Sequence, residues 1–232
     1  QGGKAPRLEV ALYEYGKDSL DRKGGYIRQI LPLTDDLDRA SQELFALTAS
    51  GSEEYCGWVI QEATEHLAWS ASQKDYKVIF VCGNEPFTQG PVNYKVSCKA
   101  AIAQGIIVNT IHCGSEAEGV SGSWQDGALR ADGKYLFIDH NQAVVQIDAP
   151  QDGELAKLSQ DLNKTYIAFG AKGAEGVANQ AAQDKNAAGL SNSAASERAS
   201  CKGSANYLNG SWELVDALQQ KQKKWEELKD EE

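Results

Sequence analysis

Leu8, Val10 and Leu12 alternate with Glu9, Ala11 and Tyr13, the period of two expected of a half-buried strand over residues 8–13. Polar, Gly-bearing residues 16–25 follow as a turn, and residues 26–30 resume as a short second strand. Thr34, Asp35 and Asp36 then offer capping oxygens and first-turn negative charge before Leu37, Ala40, Leu44 and Leu47, so an amphipathic helix starts there. A second helix is predicted over residues 53–69, with Val59, Ala63 and Leu67 on one face. His66 shares that face and reads as a boundary residue rather than a ligand. Residues 77–82 form a continuous apolar run, the look of a strand covered on both faces, and Gly83-Asn84-Glu85-Pro86 ends it. A helix near 92–104, a second buried strand at 106–112, a short helix at 124–131 and a last strand at 135–138 complete the alternation.

This order predicts an α/β fold, a doubly wound and mostly parallel sheet wrapped by helices, with ligands outside the carboxyl ends of the strands. The loops at 83–85 and 113–116 are then the places to look for a site. Beyond Pro150 the pattern changes. Residues 152–162 read as one more helix. Residues 171–205 hold eleven Ala but only Val177 and Leu190 as larger aliphatics, too little for a core of their own. That stretch is expected to lie as an Ala-rich helix against the domain or a partner, or to stay partly mobile. Trp212, Leu214, Val215 and Leu218 suffice to dock a further helical turn or two, and residues 221–232 read as a solvated helical tail. The domain division drawn from this is 1–170 for the sheet domain and 171–232 for a mostly helical C-terminal extension.

Composition narrows the function. The 23 Lys and Arg against 33 Asp and Glu give a net charge of −10, and no basic stripe with interleaved aromatics offsets it, so nucleic acid is a poor partner. No apolar run approaches the length of a membrane span. The chain has no Met and starts at Gln1, which reads as a processed product or a fragment. Five Cys without a CxxC pair argue against structural zinc; most read as buried thiols.

P-loop, GxGxxG, GxSxG and HExxH motifs are all missing. His112 and Cys113 are adjacent, so on one strand they point to opposite faces and cannot form a nucleophile–base dyad. Glu53, Glu54, Asn84 and Glu85 form a candidate oxygen-rich cluster suited to Mg²⁺ or Ca²⁺. The simpler reading is that the glutamates complement a helix N-terminus and Asn84 closes a turn.

The segments at 7–15, 33–38, 51–59 (GSEEYCGWV), 77–90 (KVIFVCGNEPFTQG) and 106–114 (IIVNTIHCG) together resemble the von Willebrand factor A (VWA) domain, in a bacterial branch of VWA-containing proteins. The resemblance covers about residues 6–150, and the segments at 165–170 and 211–217 look like that branch's C-terminal extension. It implies a sheet of strand order 3-2-1-4-5-6 and a role in binding protein ligands, often through a metal-ion-dependent adhesion site. Measured against that pattern the domain's first strand and helix are missing. The expected Thr is Tyr55, beside Glu54, and the expected Asp is Asn84. Metal binding at Glu54 and Asn84 is therefore expected to be weak or lost, with no cofactor beyond a weak Mg²⁺ or Ca²⁺. The missing strand lies mid-sheet, so strands 8–13 and 77–82 are not expected to pair directly; the piece that fills the gap is expected to be a cleaved N-terminal fragment or upstream sequence.

The function expected from these observations is a non-enzymatic protein-interaction module of an envelope or surface assembly, exported to the periplasm or cell surface. Its partner-facing edge is expected at Glu53, Glu54, Tyr55, Asn84, Glu85, Phe87 and Gln89, with Phe87 either a hydrophobic anchor or tucked against the neighbouring helix. The alternative is a structural subunit whose 171–232 extension wraps a partner chain. A hydrolase or redox enzyme using Cys82 or Cys113 with Glu85 has no supporting spacing.

Overall fold

The structure is a computed structural model that describes residues 7–139, 141 and 149–220. The tail expected at 221–232 lies outside the described residues. In chain order the elements are β1 (Val10–Tyr15), β2 (Ile27–Thr34), α1 (Leu37–Ala46), α2 (Cys56–His66), β3 (Lys77–Gly83), α3 (Tyr94–Ala103), β4 (Ile106–His112) and α4 (Glu116–Ser121). Then come α5 (Trp124–Leu129), β5 (Tyr135–Phe137), α6 (Asp152–Asn163), α7 (Gly173–Leu190), α8 (Asn192–Lys202) and α9 (Leu214–Gln219). The protein is α/β and folds as two compact units. One holds residues 11–33, 47–139 and 141; the other holds residues 7–10, Thr34–Ala46 and the described residues from 149 onward. The division at 170 expected from composition does not coincide with this one, because α1 belongs with the C-terminal helices.

In the first unit β1 and β2 form a two-stranded hairpin, closed by the Gly16 amide donating to the Tyr26 carbonyl at 2.9 Å. β3, β4 and β5 form a separate, wholly parallel sheet in that spatial order. Among the described residues no strand pairing joins β1 to β3, so two separate sheets are formed where the resemblance implied one. Parallel pairing needs a crossover between strands, and α3 and the α4–α5 pair supply it.

The register sets which side chains share a face. Ile79 lies opposite Val108 and Val81 opposite Thr110, so these residues look one way, while Val78 opposite Ile107 and Cys82 opposite Ile111 look the other. The first face carries the core: Val81, Ile106 and Val108 pack with Cys56 and Ile60 of α2, Cys98 and Ala101 of α3, and with Phe87 and Trp124. The second face is a departure from expectation. Phe80 is 58% exposed, Leu136 48% and Ile138 51%, and Cys82 is exposed too, although the run at 77–82 reads as a strand covered on both sides. A run of β-branched residues shows that a strand is apolar; it does not show that a second layer is present to cover it.

In the second unit residues 171–205 form no apolar core of their own but share an interior with α1, α6 and Tyr207. That interior is polar. Lys202 and Asp38 are 4% and 2% exposed, and Gln180, Gln183 and Ser196 are buried with them. Arg198 pairs with Asp38 at 2.6 Å and Asp184 at 2.9 Å, and Lys202 with Asp184 at 2.7 Å. The Tyr207 hydroxyl donates to Asp38 at 2.6 Å, while Lys202 also donates to the Ser159 hydroxyl at 2.9 Å and to the Asn163 side-chain oxygen. The alanines make this possible, since short side chains let α6, α7 and α8 approach closely enough for the few long polar ones to meet. Gly176 works the same way: a Cβ there would come within 2.3 Å of the Trp212 indole. Burial would by itself lower the Arg198 guanidinium, and Asp38, Tyr207 and Asp184 more than reverse it, so the cation is held.

Candidate functional site

The seven residues expected at the partner-facing edge come together around the carboxyl end of β3, and most of their polar groups are engaged with one another. Glu54 precedes α2. Its carboxylate accepts from the Asn84 amide at 3.0 Å and from the Glu85 amide at 3.4 Å, and its own amide donates to the Gln89 side-chain oxygen at 2.8 Å. The Gln89 amide nitrogen donates back to Glu85 at 3.3 Å, the Asn84 side chain to Glu85 at 3.4 Å, and the Tyr55 hydroxyl to Glu53 at 2.7 Å. Two glycines leave room for this. A Cβ on Gly83 would meet the Glu54 carboxylate at 2.3 Å; one on Gly90, whose φ is +86°, would meet the Tyr55 ring at 2.6 Å.

The consequence for metal chemistry is direct. One oxygen of the Glu54 carboxylate accepts from both backbone amides, and the neighbouring Asn84 side chain is a neutral amide. Among the described residues no group of three or more His, Cys, Asp or Glu side chains is placed to hold a metal ion. Glu54 is a loop latch. Replacing it with Ala should cost about 1–2 kcal/mol in a urea melt, because two amides lose a charged acceptor, and hydrogen exchange at the Asn84 amide should quicken. An unchanged Asn84 exchange rate would show that the latch is not formed in solution.

Phe87 is at the edge in sequence but not on the surface. Its ring is fully buried, 5.2 Å from the Tyr94 ring and 4.9 Å from Trp124, and a Cβ on Gly127 of α5 would come within 2.4 Å of it. As a surface anchor it is therefore corrected to a core residue. The Trp124 indole N–H donates to the Glu85 carbonyl at 2.9 Å, which fixes the same loop from beneath.

Four of the five thiols are shifted away from the thiolate form. Burial pushes Cys82 and Cys113 up; the neighbouring Cys113 adds to the first shift and Glu54 to the second. Cys98 is pushed up to about 11 by its burial, and Cys56 is raised further. His112 is buried against Trp124, ring centres 5.6 Å apart, on the face opposite Cys113. In the second unit a cavity of about 270 Å³ is lined by Asp36, Asp38, Arg39, Lys172, Glu175 and Trp212.

What the seven residues do not supply, the bare sheet face does. Val78, Phe80, Cys82, Ile107, Ile111, Leu136 and Ile138 share one side by register with the buried Asn109, and Phe80, Leu136 and Ile138 are about half exposed. Apolar patches of a few hundred Å² on a monomer commonly mark interaction sites. Reading of the sequence missed this face because periodicity cannot tell a covered strand from an uncovered one. No described helix is long and apolar enough to cross a membrane.

Two solved structures are similar to this chain. An aerotolerance-related membrane protein from Bacteroides fragilis, carrying multiple mutations to serines, is 17% identical, with a TM-score of 0.41 over 59% of this chain and 75% of that one. The conserved hypothetical protein BatB from Bacteroides thetaiotaomicron is 18% identical, with a TM-score of 0.40 over 67% of this chain and 78% of that one. No family model and no curated protein matches the chain. Likeness at this level assigns neither a family nor an activity.

Proposed function

We propose that this protein is a non-catalytic protein-interaction module, working in an assembly at the cell envelope or surface, with a contact surface that needs no metal. The observation that carries the reading is the apolar face of the parallel sheet, exposed at Phe80, Leu136 and Ile138. The engagement of Glu54 with backbone amides supports metal independence. Its location outside the cytoplasm rests on the family resemblance alone.

A second reading, a structural subunit that grips its partner through the C-terminal residues, is favoured by the exposed Leu190 and Val177 of α7. The two separate in one experiment. A photo-crosslinking amino acid is placed at Phe80 in one variant and at Leu190 in another, both are expressed in the native host, and adducts are resolved by mass. The first reading expects a discrete protein adduct from position 80, unaffected by EDTA. An adduct from position 190 alone would transfer the function to the C-terminal unit, and none from either would remove the interaction reading.

A further inference from the structure

We infer that the cavity of the second unit binds a free α-amino acid, its carboxylate received by the Trp212 indole N–H, the first amides of α7 and Lys172, and its ammonium by Glu175 and Asp36. This site is independent of the sheet face and of the function proposed for it.

The donors supply the first argument. Trp212 lines the cavity and is 4% exposed, yet its indole N–H has no acceptor among the described residues and is not sealed from solvent, so it opens on the cavity. The indoles of Trp58, Trp69 and Trp124, by contrast, donate to the Glu62 carboxylate at 3.1 Å, the Ala63 carbonyl at 2.8 Å and the Glu85 carbonyl at 2.9 Å. A buried indole N–H usually finds a partner, and one left open on a cavity awaits it from a ligand. Gly176 packs so closely on the Trp212 ring face that a stacked sugar or base has no room on that side.

Beside the indole, α7 begins without a side-chain cap. The Gly173 amide donates to the Gly170 carbonyl at 3.1 Å and the Gly176 amide to the Lys172 carbonyl at 2.9 Å, while the Ala174 and Glu175 amides between them have no acceptor among the described residues. Over its 18 residues the helix dipole makes this end electropositive, and Lys172 adds a full charge.

The charge balance decides what kind of ligand fits. Asp38 is paired with Arg198 at 2.6 Å and Arg39 with Glu43 at 2.6 Å, so neither is open to a ligand. Lys172, Glu175 and Asp36 form no ion pair among the described residues, and Asp36 uses one oxygen on the Arg39 amide at 2.9 Å. A simple anion would meet the two free carboxylates, and a simple cation would meet Lys172 and the helix end. A small molecule carrying an ammonium and a carboxylate a few bonds apart satisfies both sets. The volume of about 270 Å³ lies just under the roughly 300–1,000 Å³ of pockets for drug-sized ligands, which suits a molecule of amino-acid size.

The test titrates the full chain, labelled with nitrogen-15, with each common L-α-amino acid in turn and follows the indole N–H signals by NMR. At least one amino acid is expected to move the Trp212 signal downfield along a saturating curve, as a new hydrogen bond to a carboxylate does. Its methyl ester, which lacks the carboxylate, and its N-acetyl derivative, which lacks the ammonium, should each bind about 10-fold more weakly, since each loses a charge-assisted bond. Lys172→Gln and Glu175→Gln, both at exposed positions, should weaken binding to a similar degree and leave the urea midpoint where it was. If no amino acid gives a saturating shift at Trp212, the inference is wrong. Acetate binding as tightly as the amino acid would make this a simple anion site, and the ester binding as tightly would make it a cation site. Either outcome overturns the proposal, as does a shift that both variants leave intact.

Discussion

Replacing Arg198 with Ala is expected to destabilise the C-terminal unit by about 3–5 kcal/mol, although the residue lies in a polar, Ala-rich segment that looks tolerant of change. The guanidinium stands between Asp38 at 2.6 Å and Asp184 at 2.9 Å, and stacks over the Tyr207 ring at 5.1 Å. Asp38 is 2% exposed and burial already pushes its carboxyl up, so without Arg198 it would be a buried anion with the Tyr207 hydroxyl as its hydrogen-bond donor among the described residues and Lys202 acting only from farther off. Asp184 would keep Lys202. The asymmetry of buried pairs gives a control: the double substitution Asp38→Leu with Arg198→Met removes both charges at similar volume and should recover much of the loss. Urea unfolding followed by far-ultraviolet circular dichroism reads both variants. A loss below about 1 kcal/mol for Arg198→Ala would mean that the network is wet and screened in solution.

Phe87→Ala is expected to cost about 3–5 kcal/mol, the range for emptying a buried aromatic site. The ring fills the space between α3 and α5, in edge contact with Tyr94 and Trp124, and rests on the backbone at Gly127. The result discriminates between the two roles open to this residue from sequence. A surface anchor would leave the urea midpoint almost unchanged and weaken partner binding alone, whereas a core residue lowers the midpoint. Phe87→Leu, which fills much of the space, should retain most of the stability and crosslink from position 80 as the parent does.

These two residues show where the sequence was informative and where it was not. The strands at 77–82 and 106–112 were legible because β-branched apolar runs between turn signals leave few alternatives, and they appear as Lys77–Gly83 and Ile106–His112. The helix at Leu37–Ala46 was legible from its caps and spacing. Its allegiance was not, since an amphipathic face does not say which layer covers it, and α1 joined the distant C-terminal helices. Phe87 looked exposed because loop residues usually are; only the approach of Gly127 and Trp124 made a pocket for it.

By itself the sequence determined the α/β class and the positions of most elements. Those follow from local periodicity and capping, which act over a few residues. The tertiary structure alone decided that Glu54 accepts from two loop amides, that Phe80, Leu136 and Ile138 on one face of the parallel sheet stay exposed, and that Arg198, Lys202, Asp38 and Asp184 build a polar interior. Such outcomes depend on which groups many residues apart come within 3 Å of one another. Periodicity carries no record of that distance.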